Sequence, residues 1–174
     1  MGKTKKRLPV KLIIGLIFKD AAAASKAKNS LKHYFGSIDY ESPALEFKHT
    51  DYYSDEFGSR LKRQFLSFRK LINPAHLDRI KTLTNKIEGG LMRRKKRLVN
   101  IDPGYLDQAR LVLATTKDYS HRIYLDRGIY AEVTLLYRDK DFIPCAWTYP
   151  DYRSSEYAGI FKQIRDIYLC SIST

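Results

Sequence analysis

Only two cysteines, Cys145 and Cys170, occur in the 174 residues, and neither belongs to a CxxC pair or a Cys/His run. No metal-ligand spacing is therefore present, and a reduced, cytoplasmic setting is the simplest expectation. Long apolar runs are also missing, none approaching the roughly 20 residues of a membrane-spanning helix. The run 12–18, preceded by a basic start and followed by alanines at 21–24, has the outline of a signal peptide. Lys11, Lys19 and Asp20 flank it closely, however, so it reads as a buried strand leading into a helix. There is no GxxxxGK[ST] phosphate loop, since Gly15 and Gly36 lack a following Gly-Lys pair. Ser-His-Asp and Cys-His catalysis have no local signature, internal repeats and low-complexity segments do not stand out, and nothing indicates a cofactor.

Acidic residues are the scarce charge: 19 Asp and Glu face 32 Lys and Arg, a formal net charge of +13. Such an excess favours an anionic partner, whether nucleotide, phosphometabolite, nucleic acid or acidic surface. The positive charge clusters at Lys3, Lys5, Lys6 and Arg7, at Arg60, Lys62 and Arg63, and in the run 93–97. The same clusters also fit ordinary solvated loops. An apolar fraction of 44% with 13 Tyr and 8 Phe belongs to a folded chain, and the length suits one domain. A flexible basic tail is expected at 1–8 and a single α+β domain over 9–174.

The pattern predicts a strand at 10–18, then a helix at 21–35 capped by Asp20 and closed by Gly36. Extended runs follow at 45–53 and 61–72, and Asn73-Pro74 starts a helix with Leu77, Ile80, Leu83 and Ile87 on one stripe. A short strand at 98–101 precedes a helix expected over 103–113, capped by Asp102. The segments 121–125 and 129–137 form a hairpin about Asp126-Arg127-Gly128, with Leu125 opposite Ile129, Ile123 opposite Ala131, Tyr124 opposite Tyr130 and Arg122 opposite Glu132. An amphipathic helix after Ser154 ends the chain. This order implies a mainly antiparallel sheet with a ferredoxin-like βαββαβ start extended by the hairpin, and helices packed on one face.

Several phrases resemble a known family: Pro-Val-Lys-Leu-Ile at 9–13, His-Thr-Asp-Tyr-Tyr at 49–53, Leu-Lys-Arg-Gln-Phe-Leu-Ser-Phe at 61–68, and Asn-Ile-Asp-Pro-Gly-Tyr-Leu at 100–106. The stretches 114–125, 128–135 and 147–153 continue the likeness. In this order they resemble the bacterial family catalogued as domain of unknown function 4416, across nearly the whole chain. Some members carry the name GTP-binding protein. The residues here oppose a P-loop GTPase: Asp102-Pro103-Gly104 is one residue short of a DxxG switch, and Thr115-Thr116-Lys117-Asp118 lacks the spacer of a guanine-reading [NT]KxD.

Four constellations could carry chemistry. His49 and Asp51 follow Leu45 and Phe47 on one strand face, as acid-base groups delivered to the rim of a core would, or as an exposed strand end would. Arg122, Tyr124, Tyr130, Glu132 and Thr134 share a hairpin face able to grip an anion, although the Arg-Glu pair also fits a surface ion pair. His121, on the other face, suits a buried hydrogen-bonded imidazole. Asp102 at a strand end offers a helix cap or, with Lys117 nearby, a phosphate site. Trp147, Tyr149 and Tyr152 with Arg153 suit base stacking or a rigid packed loop. The expected function is binding of a phosphate-bearing ligand, nucleotide or RNA, on a polar sheet face. The alternatives are a phosphoryl- or nucleotide-directed hydrolase or transferase using His49, Asp51 and Glu132, and a non-catalytic protein-interaction domain.

Overall fold

Strand β1 (Lys11–Phe18) is buried along its whole length and apolar on both faces, so the sheet it belongs to must be covered on both sides. The computed structural model describes residues 2–4, 7–47, 61–94 and 96–173 of the chain. After β1, the Asp20 carboxylate accepts from the Ala22 N–H and caps α1 (Ala21–Phe35), which Gly36 ends at φ 88°. Two short strands, β2 (Ile38–Glu41) and β3 (Leu45–Phe47), both pair with β4 (Leu61–Phe68). Thus a strand not anticipated precedes the run at 45–53, and the rest of that run, from 48 onward, lies outside the described residues. A single 3-10 turn capped by Asn73 leads into α2 (Leu77–Gly90), and β5 (Val99–Leu106) returns to pair with β1.

The order β2-β4-β1-β5, antiparallel throughout, is the split βαββαβ arrangement expected. Strands β6 (Arg110–Thr115), β8 (Ile129–Arg138) and β7 (Ile123–Asp126) extend it in that spatial order, with β9 (Asp141–Pro144) on the far part of β8. The final helix, α3 (Ser155–Ile172), is capped by the Ser154 hydroxyl. The α+β class and the antiparallel sheet agree with the sequence reading. The helices do not all share one face. Leu12, Ile14, Leu16 and Phe18 pack with Ala24, Ala27 and Leu31 of α1 and with Ile80 and Ile87 of α2. On the opposite face, Ile13, Phe65, Leu111 and Leu135 pack with Tyr157, Ile160, Phe161 and Ile164 of α3. A strand apolar on both sides requires this double cover, but the sequence does not say which helix supplies which side. Among the described residues no helix is long and apolar enough to cross a membrane.

The helix expected at 103–113 does not form. Residues 99–106 and 110–115 are instead two strands of the sheet. The spacing of Leu106, Ala109 and Leu113 mimicked a helical stripe, whereas the deciding feature is the continuous buried run at 111–114, a central-strand signature that short windows do not distinguish from helix. Gly104 makes the pairing possible: a Cβ there would stand 2.4 Å from the Val112 carbonyl oxygen and 2.8 Å from Leu113 Cδ2. Gly104→Ala is therefore expected to cost about 1–3 kcal/mol of unfolding free energy, the usual range for overpacking, because the main obstacle is backbone. Urea denaturation of the variant checks it, and a loss within error of zero would mean that β5 and β6 separate freely.

The hairpin keeps part of its expected register. Ile123 faces Ala131 and Tyr124 faces Tyr130, but Asp126 rather than Leu125 faces Ile129. Arg127 at φ 56° and Gly128 at φ 71° form a tight two-residue turn, which fits strand twist better than the three-residue loop and leaves Leu125 as the irregular position. Near the N-terminus, Arg7 forms an ion pair with Asp107, so this part of the expected tail touches the body.

Candidate functional site

The ladder between β5 and β6 runs only from Gly104 opposite Leu113 to Leu106 opposite Leu111. Pro103, which has no N–H to donate, stands just beyond it, and from there the two strands part. The main chain of β5 left open by this separation is satisfied from α2. Lys81 Nζ donates to the Ile101 carbonyl at 3.0 Å, and a Glu88 carboxylate oxygen accepts the Ile101 N–H at 2.6 Å. Polar side chains thus replace a missing strand, which explains why a lysine and a glutamate are buried on this helix.

A cavity of about 600 Å³ occupies this opening. One wall is an ionic cluster centred on Arg63 of β4. Its guanidinium donates to Asp151 at 3.0 Å and to Asp102 at 3.3 Å, lies within 5.1–5.7 Å of the ring centres of Phe47, Phe65 and Tyr152, and is 4% exposed. Gly15 of β1 leaves room for it, since a Cβ there would come 2.9 Å from an Arg63 terminal nitrogen. Asp102 also accepts from the Asn100 amide at 2.7 Å and faces Lys81 at 3.6 Å. Arg97 reaches Asn100 at 3.0 Å and Glu88 at 3.2 Å.

The other wall is centred on Glu132 of β8. Arg122 donates through Nε to Glu132 at 2.9 Å, and through its terminal nitrogens to the Lys117 carbonyl at 3.0 Å and the Tyr149 hydroxyl at 2.9 Å. His121 Nε2 stands 3.1 Å from the same Glu132 oxygen, and the Thr134 hydroxyl donates to the other at 3.2 Å. The segment 149–152 joins the two walls, because Tyr149 engages Arg122 while Asp151 engages Arg63.

Protonation follows from these neighbours. Burial alone would lower the Arg63 pKa, but Tyr152, Asp151 and Asp102 outweigh it and raise it, so the guanidinium stays charged. Burial pushes Tyr157 up to about 12 and Tyr152 well above its ordinary value, leaving both as neutral packing partners of that charge. Burial would also raise Asp102, yet Lys81, Arg63 and the Asn100 amide hold it below the usual carboxylate range. At Glu88 burial prevails over Lys81 and the Ile101 N–H, and the pKa is raised. Glu88 and Asp102 are thus shifted in opposite directions within one wall of the cavity.

Of the residues singled out in the sequence, Asp102, Lys117, Arg122, Glu132, Tyr149 and Tyr152 line this cavity. Asp102 does so from within a strand, not as a helix cap. Arg122 and Glu132 meet as expected, but as a buried pair inside a cavity, not on an open sheet face or as a surface ion pair. Thr134 and His121 stand behind them as partners of Glu132. Trp147 stacks on His121 at 5.2 Å with its indole N–H on the Val133 carbonyl. Tyr124 and Tyr130 pack edge to face on the hairpin and are not among the lining residues. Tyr152, grouped with Trp147 and Tyr149 in the sequence, is core. His49 and Asp51 lie outside the described residues. Sequence reasoning missed Arg63, Lys81, Glu88 and Asp151 as site residues. The available signal was a charge interrupting an otherwise apolar pattern: Arg63 alternates with Leu61 and Phe65, and Lys81 and Glu88 each adjoin a residue of the Leu77, Ile80 and Ile87 stripe.

Fold and site together define a ferredoxin-like α+β domain, extended by further strands, with a charged cavity where its central ladder opens. The chain belongs to the family described as Domain of unknown function (DUF4416), whose model matches residues 8–168. Among curated proteins and among solved structures, nothing matches this chain.

Proposed function

We propose that this domain binds a phosphate-bearing ligand of nucleotide size in the cavity between Arg63 and Glu132. The observation that carries the reading is the convergence of five cationic side chains, Arg63, Lys81, Arg97, Lys117 and Arg122, against four carboxylates, Glu88, Asp102, Glu132 and Asp151, around one cavity. An excess of positive charge around an enclosed space favours an anion there. The volume is within the range of small-molecule sites. Lys117 at the exposed rim, with the hydroxyls of Thr115 and Thr116 beside it, adds donors suited to phosphate, and the Arg122 fork adds more.

The carboxylates on the same walls serve first to hold these cations. Both oxygens of Glu132 are engaged, which makes it a positioning group for Arg122 and His121. Binding is accordingly the favoured reading over catalysis through Glu132.

Thermal-shift and calorimetric titrations with nucleoside mono- and triphosphates and with inorganic pyrophosphate test it. At a ligand concentration one hundred times Kd, stabilisation of about 2.7 kcal/mol is expected. Lys117→Ala should weaken binding about tenfold, the effect of one lost hydrogen bond to a charged group. Absence of any shift with these probes at millimolar concentration would remove the proposal.

A further inference from the structure

A second concavity, about 440 Å³, lies on the surface beside the first. Its lining comprises Lys19, Arg93, Arg94, Lys96 and Arg97, with Asp20 as the single carboxylate. That carboxylate is occupied by the α1 cap. Arg93, Arg94 and Lys96 are exposed, and the turn that presents them is closed by reciprocal backbone hydrogen bonds between Arg93 and Lys96. Arg97 lines both concavities, so the groove and the cavity share one residue. The Tyr149 ring also lines the cavity, and Trp147 stacks nearby.

We propose that the groove and the cavity form one continuous track for single-stranded nucleic acid, the groove holding successive backbone phosphates and the cavity taking one nucleotide. This inference rests on the reading of the cavity as a phosphate site and specifies its ligand. A narrow thread with a charge at every residue matches a concave row of cations that ends in an enclosed site, and an aromatic ring at that end suits a base. A flat anionic membrane would touch convex surface and would not reach the cavity. The excess of +13 supplies the long-range attraction.

The test compares a fluorescein-labelled 12-nucleotide single strand, in RNA and DNA forms, with the unlabelled mononucleotide as competitor, over a salt series. The proteins are wild type and the triple variant Arg93→Ala, Arg94→Ala, Lys96→Ala, whose exposed positions leave the fold intact; its Tm is the control. The 12-mer should bind wild type at least tenfold more tightly than the mononucleotide. The triple variant should lose at least tenfold for the 12-mer, with the slope of log K against log salt shallower by about 2, from roughly 0.7 per phosphate contact. Its affinity for the mononucleotide should not change. A 12-mer bound no more tightly than the mononucleotide, or equally by both proteins, overturns the track while the cavity reading stands. Failure of both ligands to bind removes both. Capture by vesicles containing 30% anionic lipid, abolished in the triple variant while the 12-mer is ignored, assigns the groove to a membrane and likewise overturns the proposal.

Discussion

Arg63→Ala is expected to lower the unfolding free energy by about 3–5 kcal/mol, the usual result of removing one partner from a buried ion pair. Asp151, 4% exposed, would lose its counter-charge, and Phe47, Phe65 and Tyr152 would lose the guanidinium packed among them. Asp102 would keep Lys81 and Asn100, so the damage should centre on Asp151. The double change Arg63→Met with Asp151→Leu should therefore cost less than Arg63→Ala alone, since no buried charge is left unmatched. The pH dependence provides a second readout. Asp102 is held below its ordinary value of 3.8 in the folded protein. Its contribution is thus present above that value and is lost as pH falls through the folded pKa. Without Arg63 the folded value moves up toward the ordinary one, and the acid limb of the stability curve becomes shallower. Urea unfolding between pH 2.5 and 7 measures both effects. A loss below 1 kcal/mol at pH 7 would show that water reaches Asp151 readily and that the pair is not closed.

Glu132→Ala should have an effect of similar size, about 3 kcal/mol or more, because the Arg122 side chain is as buried as Glu132 itself. His121 and Thr134 would lose the same partner. Glu132→Gln keeps an acceptor for Arg122 and should cost less. Trp147 is the only tryptophan in the chain and stacks on His121. Its emission should shift to the red in the alanine variant as the imidazole loses its anchor. Unchanged emission together with an unchanged Tm would mean that Glu132 does not organise this wall.

The parts of the fold that were legible in the sequence are those governed by neighbours along the chain. Asp20, Asn73 and Ser154 were readable as helix starts because a cap bonds an N–H two or three residues away. The core faces of β1 and of the last helix were readable from their periods. The segment 99–115 was not, because leucine spacing compatible with a helical turn also fits two adjacent strands. The deciding contact there is Gly104 against Val112, which depends on the register between strands. In the site, Arg122 and Glu132 were found because a hairpin turn links them at short range. Arg63, Asp102 and Asp151 belong to three separate elements, and no local rule relates them.

What the sequence alone determined is thus the α+β class, the positive charge and the inward sides of β1 and of the last helix, since these depend on composition and on local hydrophobic patterning. Only tertiary structure decided that β6 leaves β5 after three paired residues, that Lys81 and Glu88 fill the vacated hydrogen bonds, and that the two ionic walls face one space. The reason is physical: a buried charge is tolerated only beside its partner, and here those partners come from distant parts of the chain.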